Sequence, residues 1–295
     1  MTLREVVTRV VALLADADRL EPEVRQDAAR DGRQLVAAVL GLSPGELAQR
    51  LARPSAVSPQ QAEAIERALH RRLRGEPLAY AVGSAAFRDL VLQVDQRVLI
   101  PRPETEVVVG EALRVTASCP GGVAIDIGTG SGAIALSLAT EGRFDRVIAT
   151  DVSADALAVA AENAERLGGT GHAPVQFRLG ADLAPVARER ARVLVANPPY
   201  IADGEAAALP PSVRDWEPPL ALLAPDDGMA RYRAIMAGIR AVLEPGGWLV
   251  CEVDARRAGL TADLARDAGM EQVQIVNDLA GRDRVLVAQA PSAAA

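Results

Sequence analysis

The chain contains no lysine: all 32 of its basic residues are arginine. With alanine so abundant, this reflects a coding bias and carries no functional information. Aromatic residues make up only 3% of the 295 positions, and the net charge is −7. General nucleic-acid binding needs a basic face or stacking rings, so the composition argues against it. The charge is uneven along the chain. Residues 1–76 carry 12 Arg against 11 acids, whereas the remainder carries 20 against 28. The front end is therefore nearly neutral and the acidity lies behind it.

Cysteine and histidine are equally scarce, with two of each. Cys119 and Cys251 both lie near apolar strands and are expected as reduced, buried or half-buried thiols rather than a disulfide. His70 and His172 have no ligand-spaced neighbours, and zinc needs three or four converging ligands; no metal site is expected. No apolar run is long enough to span a bilayer. Arg4, Glu5 and Arg9 interrupt the N-terminal apolar pattern, unlike a signal-peptide core. The expectation is a soluble cytoplasmic protein. Its length suggests about two domains.

Apolar residues Leu3, Val6, Val7, Val10, Val11 and Leu14 recur at helical spacing. A second helix is expected from Pro22 to Leu40. Ser43-Pro44-Gly45-Glu46 has the form of a capping box and opens a third. Ser58-Pro59 opens a fourth, ending near Gly75. These four helices form a small bundle over residues 1–78, either a stability appendage or a partner-docking domain. Alternation over Ser84–Arg88 and Leu90–Val94 predicts a hairpin within a linker, residues 79–100. A helix from Pro103 to Ala117 leads into a domain spanning 101–290, where strands and helices alternate as in a parallel sheet with covered faces. The strands at Gln272–Val276 and Arg284–Ala288 have no helix between them, so the last is expected to run antiparallel. Residues 291–295 read as a frayed tail.

Two motifs carry chemistry. Val123-Ala124-Ile125-Asp126-Ile127 reads as a strand, and Gly128-Thr129-Gly130-Ser131-Gly132 as a tight turn opening a helix. Glycines permit close backbone approach, and the helix start offers unpaired N–H groups to an anion. No Gly-Lys-Ser/Thr follows, so this is not a phosphate-cradling P-loop. The next strand ends in Asp151, placed to accept from ribose hydroxyls or to partner the helix start near Ser153. Asp182 follows the third strand; in this topology it and Leu183 would face a nucleobase.

The second motif is Asn197-Pro198-Pro199-Tyr200, directly after the apolar strand Val193–Ala196. Each proline fixes φ and removes an N–H, and the first holds Asn197 extended. The turn is rigid and rich in acceptors, suited to gripping an NH₂ group. Alone it could be a stiff loop. With the glycine turn and Asp151 it points to S-adenosylmethionine and a polar NH₂ acceptor.

At these residues the chain resembles the protein-(glutamine-N5) methyltransferases of the PrmC/HemK type. The similarity covers most of residues 74–288. It includes Arg74-Gly75-Glu76-Pro77-Leu78-Ala79-Tyr80 and Ile100-Pro101-Arg102-Pro103-Glu104-Thr105-Glu106, the most specific run. It extends to Glu217-Pro218, Asp227-Gly228 and Asp278-Leu279-Ala280-Gly281-Arg282. Departures occur at Glu252-Val253-Asp254-Ala255-Arg256-Arg257, at Ala224-Pro225 and at Arg88. The resemblance implies a seven-stranded, Rossmann-like class I methyltransferase sheet with a small N-terminal helical bundle. It also implies S-adenosylmethionine as donor and, as acceptor, the Gln of the Gly-Gly-Gln loop of peptide chain release factors. It favours the docking role for the helical front end.

In that reading the Asn197 oxygen and Pro198 carbonyl hold the acceptor NH₂, with Pro199 stiffening the turn and Tyr200 packing against acceptor or donor. Asp126 with Gly128–Gly132, Asp151, Asp182, Leu183 and Asn197 form the donor site. Arg102 and Glu104 either order a loop over the site or cap the helix after Pro103. The Pro-rich stretch Leu209–Pro225 is either a lid or disordered. Rival readings are N5-methylation of a ribosomal-protein glutamine, methylation of an exocyclic amine in nucleic acid, and a donor-binding regulator without turnover.

Overall fold

The computed structural model describes residues 1–168 and 173–292; His172 and residues 293–295 of the expected tail lie outside them. The chain divides into two compact units. One comprises Met1–Ser84 with Leu209–Glu217, and the other holds the remaining residues.

The first unit is helical: α1 (Leu3–Ala15), α2 (Pro22–Gln26), α3 (Ala28–Val39), α4 (Pro44–Leu51), α5 (Pro59–Leu73) and α6 (Leu78–Val82). Capping boxes open α1 at Thr2/Glu5, α4 at Ser43/Glu46 and α5 at Ser58/Gln61, each closing two otherwise unpaired N–H groups. The single helix expected over Pro22–Leu40 is broken at Asp27, whose φ of −104° and ψ of 29° leave the helical region. The break has a physical reason. In α2 only Val24 is apolar beyond Pro22; it packs half-buried against the core, and a single apolar contact is too little to hold that turn in line with α3. The sequence reading also missed α6, which buries Tyr80 and ends at Gly83 with φ +80°. Buried Arg72 pairs with Asp31 at 2.8 Å and donates to the Glu76 carbonyl, tying α3, α5 and the turn after it together. Within the Pro-rich stretch, Pro211–Arg214 forms one helical turn, and Ser212 N–H donates to Glu21.

The second unit opens with a hairpin, β1 (Ser84–Phe87) and β2 (Leu90–Gln93), most of which belongs to it. Then follow α7 (Pro103–Thr116), β3 (Val123–Ile127), α8 (Ala133–Glu141), β4 (Arg146–Asp151), α9 (Ala154–Arg166), β5 (Val175–Leu179) and β6 (Ala191–Ala196). Past the short helical turn Pro219–Leu222 come α10 (Ala230–Val242), β7 (Leu243–Glu252), α11 (Ala258–Asp267), β8 (Glu271–Asn277) and β9 (Asp283–Gln289). One seven-stranded sheet results, in the order β8-β9-β7-β6-β3-β4-β5. The five strands from β5 to β7 are parallel, and β9 alone is reversed, pairing antiparallel with both β7 and β8. The final strand thus runs as its helix-free connection required.

Alternation along the strands divides the core in two. Ile125, Leu194, Leu249 and Cys251 pack on the layer containing α10 and α11. Ala124, Val193, Val195 and Val250 pack on the layer containing α7 and α8. Apolar side chains dominate both layers, as a sheet covered on both faces demands. Cys251 is buried as expected, but Cys119 is exposed. It lies in the connection between α7 and β3, beyond the strand whose apolar character suggested burial.

Candidate active site

Sheet register builds the site. Thr150, Ile127, Ala196 and Cys251 are successive partners in one row across β4, β3, β6 and β7. The next residue on each strand is Asp151, Gly128, Asn197 and Glu252. Four chemically distinct groups therefore stand side by side along the carboxyl edge. The chain reverses direction here, with β4 on one side of β3 and β6 on the other. Ligands bind in such crevices because diverging loops leave them open.

One cavity at this edge is lined by Gly128–Ser131, Asp151, Asp182 and Asn197–Pro199. Arg102, Thr105, Pro218 and Leu220 complete parts of its wall. Of the residues singled out in the sequence, Asp126, Gly132, Leu183 and Tyr200 do not line it. Asp126 lies fully buried beneath the glycine turn, accepting from Thr129 Oγ1 (2.7 Å) and Ala135 N (3.1 Å). Burial pushes its pKa up to about 7. Gly132 has φ +86°, and a Cβ there would meet Leu136 at 3.0 Å and Ala160 at 3.3 Å. That glycine lets α8 pack closely on α9. Leu183 is buried in the core.

Asp151 accepts from Gly130 N–H and Ser153 N–H, each at 2.9 Å. It thus joins the glycine turn to the start of α9, whose own cap is Ser153. Asn163, buried in α9, donates to the Ser131 carbonyl and forms a two-way pair with the Gln93 backbone, fixing turn and hairpin to each other. Asp182 has φ +49°, a conformation Asp tolerates better than most residues, and pairs with Arg231 at 3.3 Å. Sequence reading had singled out neither Asn163 nor Arg231 for a role in the site; their contribution depends on contacts far apart in the chain.

The second corner is stiffer. Val193 and Val195 face the α7 layer, and Asn197 continues that parity. Its Nδ2 donates to Thr105 Oγ1 of α7 at 3.1 Å. Thr105 in turn donates to Glu252 Oε2 at 2.6 Å. Burial raises the Glu252 pKa, opposed by the Thr105 hydrogen bond and Arg284. Tyr200 packs against the core, and burial, with Glu252 close by, pushes its pKa up to about 12. A Cβ at Gly228 would sit 2.4 Å from the Tyr200 carbonyl, so the Asp227-Gly228 bend lies directly against this turn. Behind it Arg257 binds Asp254, Glu205 and the Asp227 carbonyl. The unusual 252–257 segment is therefore a charge cluster buttressing the turn.

Arg102 is the N-cap residue of α7 but makes no side-chain cap. Glu104, in the first turn of α7, pairs with Arg282 at 3.2 Å. Among the described residues no cluster suits a metal ion, and no helix is long and apolar enough to cross a membrane.

Two family models match the chain: the PrmC N-terminal domain over residues 5–83 and the methyltransferase small domain over residues 109–209. The release factor glutamine methyltransferase of Cereibacter sphaeroides is 41% identical over 282 residues, 96% of this chain and 98% of its own. That of Moorella thermoacetica is 40% identical over 293 residues, 98% of each chain. A methyltransferase structure from Pyrococcus furiosus covers 80% of this chain and all of its own at 17% identity and a TM-score of 0.53, a likeness of fold. By sequence and by domain composition, this chain belongs to the release factor glutamine methyltransferase family.

Proposed function

We propose that the protein transfers a methyl group from S-adenosylmethionine to the side-chain amide nitrogen, N5, of a glutamine in peptide chain release factors, within their Gly-Gly-Gln loop. The observation that supports it most is the shared cavity: an acceptor-rich Asn-Pro-Pro turn and a glycine turn leave adjacent, in-register strands. The residues present fit the donor. A Cβ at Gly128 or Gly130 would meet nothing within 4 Å, so the backbone is open to close approach. Asp151 offers carboxylate oxygens beside it, placed for ribose hydroxyls.

When bound, S-adenosylmethionine supplies a methyl on a sulfonium, already an excellent leaving group. The protein's task is the acceptor, a carboxamide nitrogen whose lone pair is delocalised into its C=O. Asn197 Oδ1 and the Pro198 carbonyl each accept one of its N–H bonds. They orient the nitrogen and favour its pyramidal form by positioning and electrostatics, without a strong base; the methylated nitrogen then releases its extra proton to solvent. Such positioning can contribute about 7–11 kcal/mol in favourable cases. The helical front end, which matches the PrmC N-terminal domain, is assigned the docking of the protein substrate.

A labelled-methyl transfer assay offering purified release factor, ribosomal protein and RNA tests the reading. Label is expected on the release factor, at a glutamine located by mass spectrometry. Label on ribosomal protein or RNA, or none at all, would overturn it.

A further inference from the structure

An Asn carboxamide has two ends, and only one of them can accept an acceptor's N–H. Rotated by half a turn, Asn197 would present NH₂ to NH₂ and repel what it should hold. Nothing in the Asn-Pro-Pro turn itself selects the correct end, since the prolines supply no donor. The choice is made outside the motif. Asn197 Nδ2 lies 3.1 Å from Thr105 Oγ1, and Thr105 Oγ1 lies 2.6 Å from Glu252 Oε2. In its ionised form, which Arg284 favours against the effect of burial, Glu252 accepts only, and 2.6 Å is the separation of an O–H···O⁻ bond. The single hydroxyl proton of Thr105 is thereby committed to Glu252, and its oxygen keeps only lone pairs for Asn197. The chain of bonds has one polarity, and it ends with the Asn197 NH₂ turned to Thr105.

We infer that Thr105 and Glu252 are positioning residues that fix the amide orientation of Asn197, so that its oxygen, and not its NH₂, meets the substrate amide. This rests on the reading of Asn197 as the group that holds the acceptor. The fold explains why these residues can do it. Glu252 and Asn197 each stand one step past the Ala196–Cys251 pair on adjacent strands. By strand parity both are on the α7 side, where Val195 and Val250 pack. Thr105, in the first turn of α7 and 5% exposed, bridges them. Tyr232 adds an anchor by donating to the Glu252 backbone carbonyl at 3.0 Å.

The experiment measures kcat with purified release factor, together with donor Kd by calorimetry, in a set of variants of the full chain. Thr105→Val keeps the shape and removes the relay. It should lower kcat about 10- to 100-fold, the scale of a misplaced contact, with donor Kd within about twofold. Thr105→Ser, which restores the hydroxyl, should recover most of that loss. In an Asn197→Ala background Thr105→Val should subtract nothing further, because both act through one amide. A structural role would subtract equally in either background, and that result overturns the inference. Undiminished kcat in Thr105→Val, with Asn197→Ala impaired, overturns it and leaves the reading of Asn197 intact. Full kcat in Asn197→Ala, or no transfer by the unaltered protein, removes that reading and the inference with it. Should Thr105→Val misfold, Thr105→Ser against Glu252→Gln carries the same contrast. Serine keeps the one-way polarity; glutamine, able to donate or accept, loses it, and equal kcat in the two would overturn the inference.

Discussion

The two corners of the site are built on opposite plans. The glycine turn after β3 is a backbone device: its open Cα positions at Gly128 and Gly130 line the cavity, its N–H groups at Gly128, Thr129, Gly130 and Gly132 are tied inside the protein, and side chains serve it from beneath. Asp126, Asn163 and Asp151 hold the turn at Thr129, Ser131 and Gly130. The Asn197 corner is a side-chain device on an immobile backbone, oriented by partners on α7 and β7. The first plan suits a ligand recognised by shape and a few polar contacts. The second suits a reacting group that must be held at one angle. The two corners should accordingly fail in different ways: damage to the first should appear in donor affinity and stability, damage to the second in turnover.

The largest effect is expected at Asn197. Asn197→Ala should lower kcat about 10³-fold, comparable to loss of a transition-state hydrogen bond, with donor Kd nearly unchanged by calorimetry. A weakened donor Kd with normal kcat would erase the distinction. Asp151→Ala should weaken donor binding about 10- to 100-fold through loss of charge-assisted hydrogen bonds, read by the same titration.

Asp126 sharpens the comparison through pH. Its pKa in the fold, pushed up to about 7 by burial, exceeds its unfolded value near 4. A raised pKa means the fold binds the proton more tightly than the unfolded chain does. The stability Asp126 contributes is therefore fully present below about pH 4 and is lost as pH rises through about 7. Between about pH 5.5 and 7.5 this predicts a loss of about 2 kcal/mol, absent from Asp126→Asn, measured by urea unfolding. Parallel pH curves for the two proteins would contradict it. The smallest effect on turnover is expected from Gly132→Ala, which strains φ and crowds Leu136 and Ala160. It should cost about 1–3 kcal/mol in stability, with kcat at saturating donor close to the unaltered value.

Much of the backbone plan was legible in the chain. Strand, glycine turn and helix over 123–139, the acid ending β4 and the Asn-Pro-Pro after β6 are local patterns, set by periodicity and by what glycine and proline permit. The antiparallel ending followed from a missing helix. What escaped notice was non-local. Thr105 and Glu252 meet across 147 residues, and no local rule links a threonine in the first turn of α7 to a β7 carboxylate. The break at Asp27 depended on α2 having only Val24 to pack against the core. Leu209–Pro225, which read as lid or disorder, holds two single helical turns, Pro211–Arg214 and Pro219–Leu222. Their helicity was hidden by a proline-rich composition in which Pro211 and Pro219 each occupy the first helical position, where no N–H is needed, behind Pro210 and Pro218 at the caps.

The separation of the two corners is tested most directly by single-turnover methyl transfer in Asp151→Ala, with donor raised well above its weakened Kd and enzyme in excess over release factor. The account predicts a rate constant close to that of the unaltered protein once donor saturates. A rate that stays depressed at saturation by as much as in Asn197→Ala would contradict it, because the donor corner would then be shaping the acceptor's reaction as well.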